Sequence, residues 1–92
     1  MIGIKVKEIY KYENAVLASG AKVSATEVTV QDGKVASVNN GNVTVDGKNF
    51  SFSIYNYGIN GEKTYNLNSV PADVDGQAIV KEFVLFVEND IA

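Results

Sequence analysis

The sequence predicts a small all-β domain, and three observations lead there. Asn-Gly and Asp-Gly pairs recur along the chain, the segments between them alternate apolar and polar residues, and that alternation breaks parity at two places. The pairs are Asp32-Gly33, Asn40-Gly41, Asp46-Gly47, Asn60-Gly61 and Asp75-Gly76. A two-residue type I′ hairpin turn needs positive φ at both central residues, and Asn or Asp followed by Gly meets that need at least steric cost. The expected architecture is five to seven antiparallel strands joined by hairpins, as a small barrel or sandwich of OB-like or SH3-like form.

Each segment supports that expectation in turn. Ile2, Ile4 and Val6 share one face, whereas the next large aliphatic, Ile9, lies on the other. A similar break separates Val23 from Val28 and Val30. Such a shift inside a long strand is what a β-bulge produces, and bulges bend strands so that sheets curl. Val43 and Val45 continue the alternation. Phe50, Phe52 and Ile54 then form the clearest inward row, with Asn49, Ser51 and Ser53 pointing outward. One echo, Val28-Thr29-Val30-Gln31-Asp32-Gly33-Lys34 against Val43-Thr44-Val45-Asp46-Gly47-Lys48, is read as the same hairpin chemistry used twice.

The C-terminal segment, 77–89, admits two readings. As a helix it gathers Ile79, Val80, Phe83, Val84, Phe86 and Val87 on one broad face, with Lys81, Glu82, Glu88 and Asn89 opposite. As a strand it has the β-branched and aromatic content that helices use poorly. Asp75-Gly76 before it resembles another turn, so a buried strand is the favoured expectation and a helix the alternative.

Composition bounds the rest. Ninety-two residues make one domain, 1–92, with a thin core. Apolar residues at 46% and charged residues at 21% describe a chain that folds. Cys, His, Arg and Trp are all absent. Their absence removes disulfides, thiolate nucleophiles, sulfur or imidazole metal ligands and bidentate guanidinium recognition. No enzyme activity, metal or cofactor is expected. The net charge of −3 arises wholly after residue 46, where Lys48, Lys63 and Lys81 face six acids. Lys5, Lys7 and Lys11 are interleaved with Glu8 and Glu13, which reads as a solvated strand face rather than a phosphate-binding patch. Nucleic acid is therefore not an expected partner. The longest uncharged apolar run, Phe83 to Val87, is too short to span a bilayer, and charges interrupt the N-terminal apolar residues as no signal peptide would. A cytoplasmic or virion-associated location is the expectation.

The most site-like stretch is Tyr55-Asn56-Tyr57-Gly58-Ile59-Asn60-Gly61, followed by Tyr65, Asn66 and Asn68. Tyrosine supplies a rigid face and a hydroxyl, and asparagine both donates and accepts, a combination suited to recognising proteins or sugars. Tyr55, Asn56, Tyr57, Asn60, Tyr65 and Asn66 are the candidate binding residues. The competing reading is a loop whose Asn and Gly satisfy turn geometry while the tyrosines cap the core. Asp73, Asp75, Gly76 and Glu82 match positions 3, 5, 6 and 12 of a calcium loop, but position 1 is Pro71, so a turn with exposed acids is preferred. Two functions follow. One is a non-enzymatic protein–protein interaction or assembly domain, homo-oligomeric or binding a partner, acting through a sheet edge or the Tyr/Asn-rich loop. The alternative is a small-ligand or carbohydrate-binding module centred on residues 55–68.

Overall fold

The computed structural model describes residues 7–55 and 63–91. Five strands, β1 (Lys7–Val16), β2 (Lys22–Gln31), β3 (Lys34–Val45), β4 (Lys48–Tyr55) and β5 (Thr64–Asn68), precede one helix, α1 (Gly76–Asp90). The strands lie in chain order in one antiparallel sheet, so the protein is mostly β and hairpin-linked. Among the described residues β1 and β5 do not pair, and the sheet stays open rather than closing into a barrel.

Two Asx-Gly pairs make the hairpins foreseen for them. Asp32 and Gly33 have φ of 56° and 75° between the paired residues Gln31 and Lys34, and Asp46 and Gly47 have 51° and 76° between Val45 and Lys48. Positive φ at both positions is the type I′ requirement, and its twist suits the strands it joins. Asn40-Gly41 does something else. It lies inside β3, where Asn39 and Asn40 together oppose the single residue Ser53 of β4, and Asn40 takes φ 55°. This is a bulge, not a turn. Gly41 is buried at the same spot because a Cβ there would lie 2.5 Å from Phe52. Asn60-Gly61 lies outside the described residues.

The parity break between Val23 and Val28 is a bulge, whereas the register runs unbroken from Lys7 to Tyr10, so no bulge accompanies Ile9 and β1 is interrupted further along instead. Between Tyr12 and Ala15 of β1, two residues, Glu13 and Asn14, oppose Ser24 alone. Asn14 takes φ 51°, and its N–H donates to Ser24 Oγ at 2.9 Å, which satisfies an amide the bulge removes from the ladder. One step earlier Thr26 and Glu27 of β2 oppose Lys11 alone, so the two irregularities restore the register.

The favoured strand for residues 77–89 is overturned: the segment is helical. Asp75 is the N-cap, its carboxylate accepting from the Ala78 N–H at 3.1 Å, so Asp75-Gly76 starts a helix instead of turning a hairpin. Gly76, Val80, Phe83, Val84 and Val87 are buried at helical spacing. The physical reason is the sheet itself. Its inward row of Val23, Ala25, Val28, Val30, Val35, Val38, Val43, Phe50, Phe52 and Ile54 forms one core cluster with Val80, Phe83, Val84 and Val87. A mean burial of this kind outweighs helix propensities, which differ by only tenths of a kcal/mol per residue. Phe83 sits at the centre, edge-on to Phe52 at 6.0 Å and to Tyr12 at 5.6 Å.

Three acids tie α1 down. Glu82 accepts from Ser19 N–H at 3.1 Å and Ser19 Oγ–H at 2.6 Å, in the β1–β2 connection. Glu88 accepts from the Val35 N–H at 3.0 Å, and Asp90 from the Tyr12 hydroxyl at 3.0 Å. Glu88 and Asp90 stand at the helix C-terminus, where the macrodipole disfavours negative charge. Their hydrogen bonds to the sheet are the compensation.

Candidate functional site

Residues directly opposite in an antiparallel pair share a face. Ile54 pairs with Tyr65 on the α1 side, while Ser53 pairs with Asn66 and Tyr55 with Thr64 on the other, here called the outer face. The candidate binding residues that are described therefore do not all share a face. Tyr55 and Asn66 lie together on the outer face, Tyr55 half-buried and Asn66 exposed. Tyr65 lies on the opposite side, packed against the core with Lys81 Nζ 5.9 Å from its ring centroid. Asn56, Tyr57 and Asn60 lie outside the described residues.

What the sheet does gather is a neutral polar surface. From Ser37 onward the outer positions of β3, β4 and β5 are Ser37, Asn39, Asn42, Thr44, Asn49, Ser51, Ser53, Tyr55, Thr64, Asn66 and Asn68, without a charge among them, while Lys34 stands outward at the start of β3. Asn42 and Ser51 are opposite each other, as are Ser51 and Asn68, and Thr44 Oγ1 donates to Asn49 Oδ1 at 2.6 Å. Other charged residues on this face belong to β1 and β2: Lys22, Glu27, and the exposed ion pair of Lys11 with Glu13 at 3.1 Å. Ile9 pairs with Thr29 and Val16 with Lys22, which places both on the outer face of β1, 63% and 59% exposed. Reading residue by residue for large or reactive side chains passes over this surface. The signal was present as small polar residues at every second position opposite each apolar row.

On the other side, a groove of about 280 Å³ lies at the start of α1, with Val45, Val74, Ala78 and Ile79 beneath and Asp46, Asp73, Asp75 and Glu82 around it. Lys48 Nζ contacts Asp73 at 2.7 Å, and its hydrogen bond and charge hold the Asp73 carboxyl below the usual range. Asp75 and Glu82 are engaged in the cap and the Ser19 contacts given above. The twelve-residue calcium loop is not formed, since the helix already begins at Gly76. No cluster of three metal-ligating side chains occurs among the described residues. No helix among them is long and apolar enough to cross a membrane.

Burial pushes the Tyr12 hydroxyl up to about 12, with help from the hydrogen bond and negative charge of Asp90. That perturbation belongs to packing between β1 and α1. Comparison with protein-family models, curated proteins and solved structures found no match for the chain.

Proposed function

We propose that the chain is a non-enzymatic interaction or assembly domain, binding a protein partner or further copies of itself through the uncovered parts of its sheet. The observation that supports this is the one-sided packing: α1 covers one face, while the other face and the free sides of β1 and β5 carry no further element among the described residues. Uncovered strands and sheet faces offer backbone and side-chain groups to another chain. Ile9 and Val16 add exposed apolar surface on the same side. The test is mass measurement by light scattering after size exclusion, together with affinity capture. A stable oligomer or a specific partner complex is the expected result. A strict monomer that captures nothing would overturn the reading.

A second reading, a small-ligand or carbohydrate-binding surface, is favoured by the joint placement of Tyr55, Ser53, Thr64 and Asn66 on the outer face. A ring flanked by hydroxyl and amide groups suits a sugar. Tyr55→Ala should abolish any hit from a glycan array or thermal-shift screen while leaving the fold intact; a hit that survives it would place the ligand elsewhere.

A further inference from the structure

Resting on the interaction reading, we propose that the occupant of the outer sheet face is a second copy of this chain, the two sheets stacking face to face with α1 outermost on each side.

The two edges are poor docking strands. β5 has five residues. β1 is interrupted by register shifts on either side of Tyr12 and carries the Lys11–Glu13 ion pair on its exposed surface. Short length, bulges and charge are the devices that keep edges from pairing. From Ser37 onward the outer positions of β3, β4 and β5 carry no charge.

Its composition is not what strand formation asks for. Asn is depleted in strands, yet Asn39, Asn42, Asn49, Asn66 and Asn68 occupy outward positions of β3–β5, beside Ser37, Ser51 and Ser53. A merely solvated face would carry Lys and Glu, which keep surfaces apart. Small neutral residues instead allow another sheet to approach to about 10 Å, the usual face-to-face spacing. Amides and hydroxyls both donate and accept, so the surface complements itself, as a two-fold interface requires. Charged partners, including nucleic acid, find a single outward counter-charge on β3–β5, Lys34 at the start of β3.

With strands about 4.8 Å apart and about 3.3 Å per residue, the five strands present roughly 700 Å² per copy, of which β3, β4 and β5 supply roughly 400 Å², below the ~800 Å² per partner of a standard interface and in keeping with a weak contact. The small apolar contribution and many polar contacts point to a reversible dimer rather than an obligate one.

The experiment is light scattering after size exclusion, from about 1 to 500 μM, on the intact chain and on Ser51→Lys and Asn42→Lys. Both positions are outward and mutually paired, and two-fold symmetry brings each new charge into the interface twice. Far-ultraviolet circular dichroism confirms that the variants fold. The expected result is a mass rising from one chain to two across that range, with dissociation strengthened at least about 100-fold by either lysine and unchanged by Ser51→Thr. A chain monomeric at every concentration overturns the proposal. So does an oligomer indifferent to both lysines, which would leave the interaction reading standing on another surface. Capture of a different protein, blocked by Ser51→Lys while the chain alone stays monomeric, would assign the face to that partner and also overturn it.

Discussion

Gly41→Ala probes a close approach of the β3 backbone to the ring of Phe52. A methyl group there would sit 2.5 Å from Cε1 and Cζ of Phe52 and 2.7 Å from Cδ1. Carbon atoms prefer about 3.5–4.0 Å, so the ring must retreat by about 1 Å. It has little room: Phe52 is 3% exposed and stands edge-on to Phe83. Overpacking of this kind costs about 1–3 kcal/mol, offset by the 0.4–1 kcal/mol that Ala gains over Gly through the unfolded chain. Gly41 does not have positive φ, so no backbone strain adds to it. The net is a loss of about 1–2 kcal/mol, and each kcal/mol lowers Tm by roughly 4–8 °C in a domain of this size. Thermal and urea denaturation should show that fall. In a Phe52→Leu background, where the ring is gone, Gly41→Ala should cost markedly less, a coupling of about 0.5–3 kcal/mol. Equal costs in both backgrounds, or an unchanged Tm, would show that the Phe52 ring does not crowd position 41.

Other contacts make equally definite claims. Glu88→Ala removes the acceptor of the Val35 N–H, and Val35 is 1% exposed, so about 1–3 kcal/mol of stability should be lost and that amide should exchange faster with deuterium. Unchanged exchange at Val35 would show the hydrogen bond to be dispensable. Tyr12 should ionise late, at about 12, in an ultraviolet titration. Since the fold favours its neutral form, the associated stabilisation is complete below the unfolded value of about 10 and disappears as pH rises from there to 12. Asp90→Asn should lower the Tyr12 value only part of the way, because burial is the larger cause. Five tyrosines ionising together near 10 would contradict the packing of Tyr12 under α1.

Local chemistry was legible in this sequence where one neighbouring pair of residues decides the outcome. Asp32-Gly33 and Asp46-Gly47 set positive φ and hence hairpins, and the Phe50, Phe52, Ile54 row announced which side of β4 is buried. Asn40-Gly41 shows the limit. An Asn at positive φ followed by Gly serves a bulge as well as a turn, and here the pair lies inside β3 with Gly41 packed under the ring of Phe52 on the neighbouring strand. Asp75-Gly76 is ambiguous in the same way, since a carboxylate that closes a turn also caps a helix. The helical fate of 76–90 depends on a sheet face that needed a cover, which no window of residues contains. Within the Tyr/Asn stretch, β4–β5 register places Tyr55 and Tyr65 on opposite faces, and register is a property of the pair that neither segment reveals alone.

The chain contains no cysteine, so a single introduced thiol can report on the sheet surface directly. The measurement is the alkylation rate of Ser51→Cys on the outer face, against Leu85→Cys on the solvent side of α1, as concentration rises through the range in which mass doubles. Both thiols should react rapidly when dilute, and only Ser51→Cys should slow as copies associate. A slow Ser51→Cys thiol even at the lowest concentration would mean the face is covered within one chain. A rate that ignores concentration while the protein is oligomeric would mean that the sheets do not meet there.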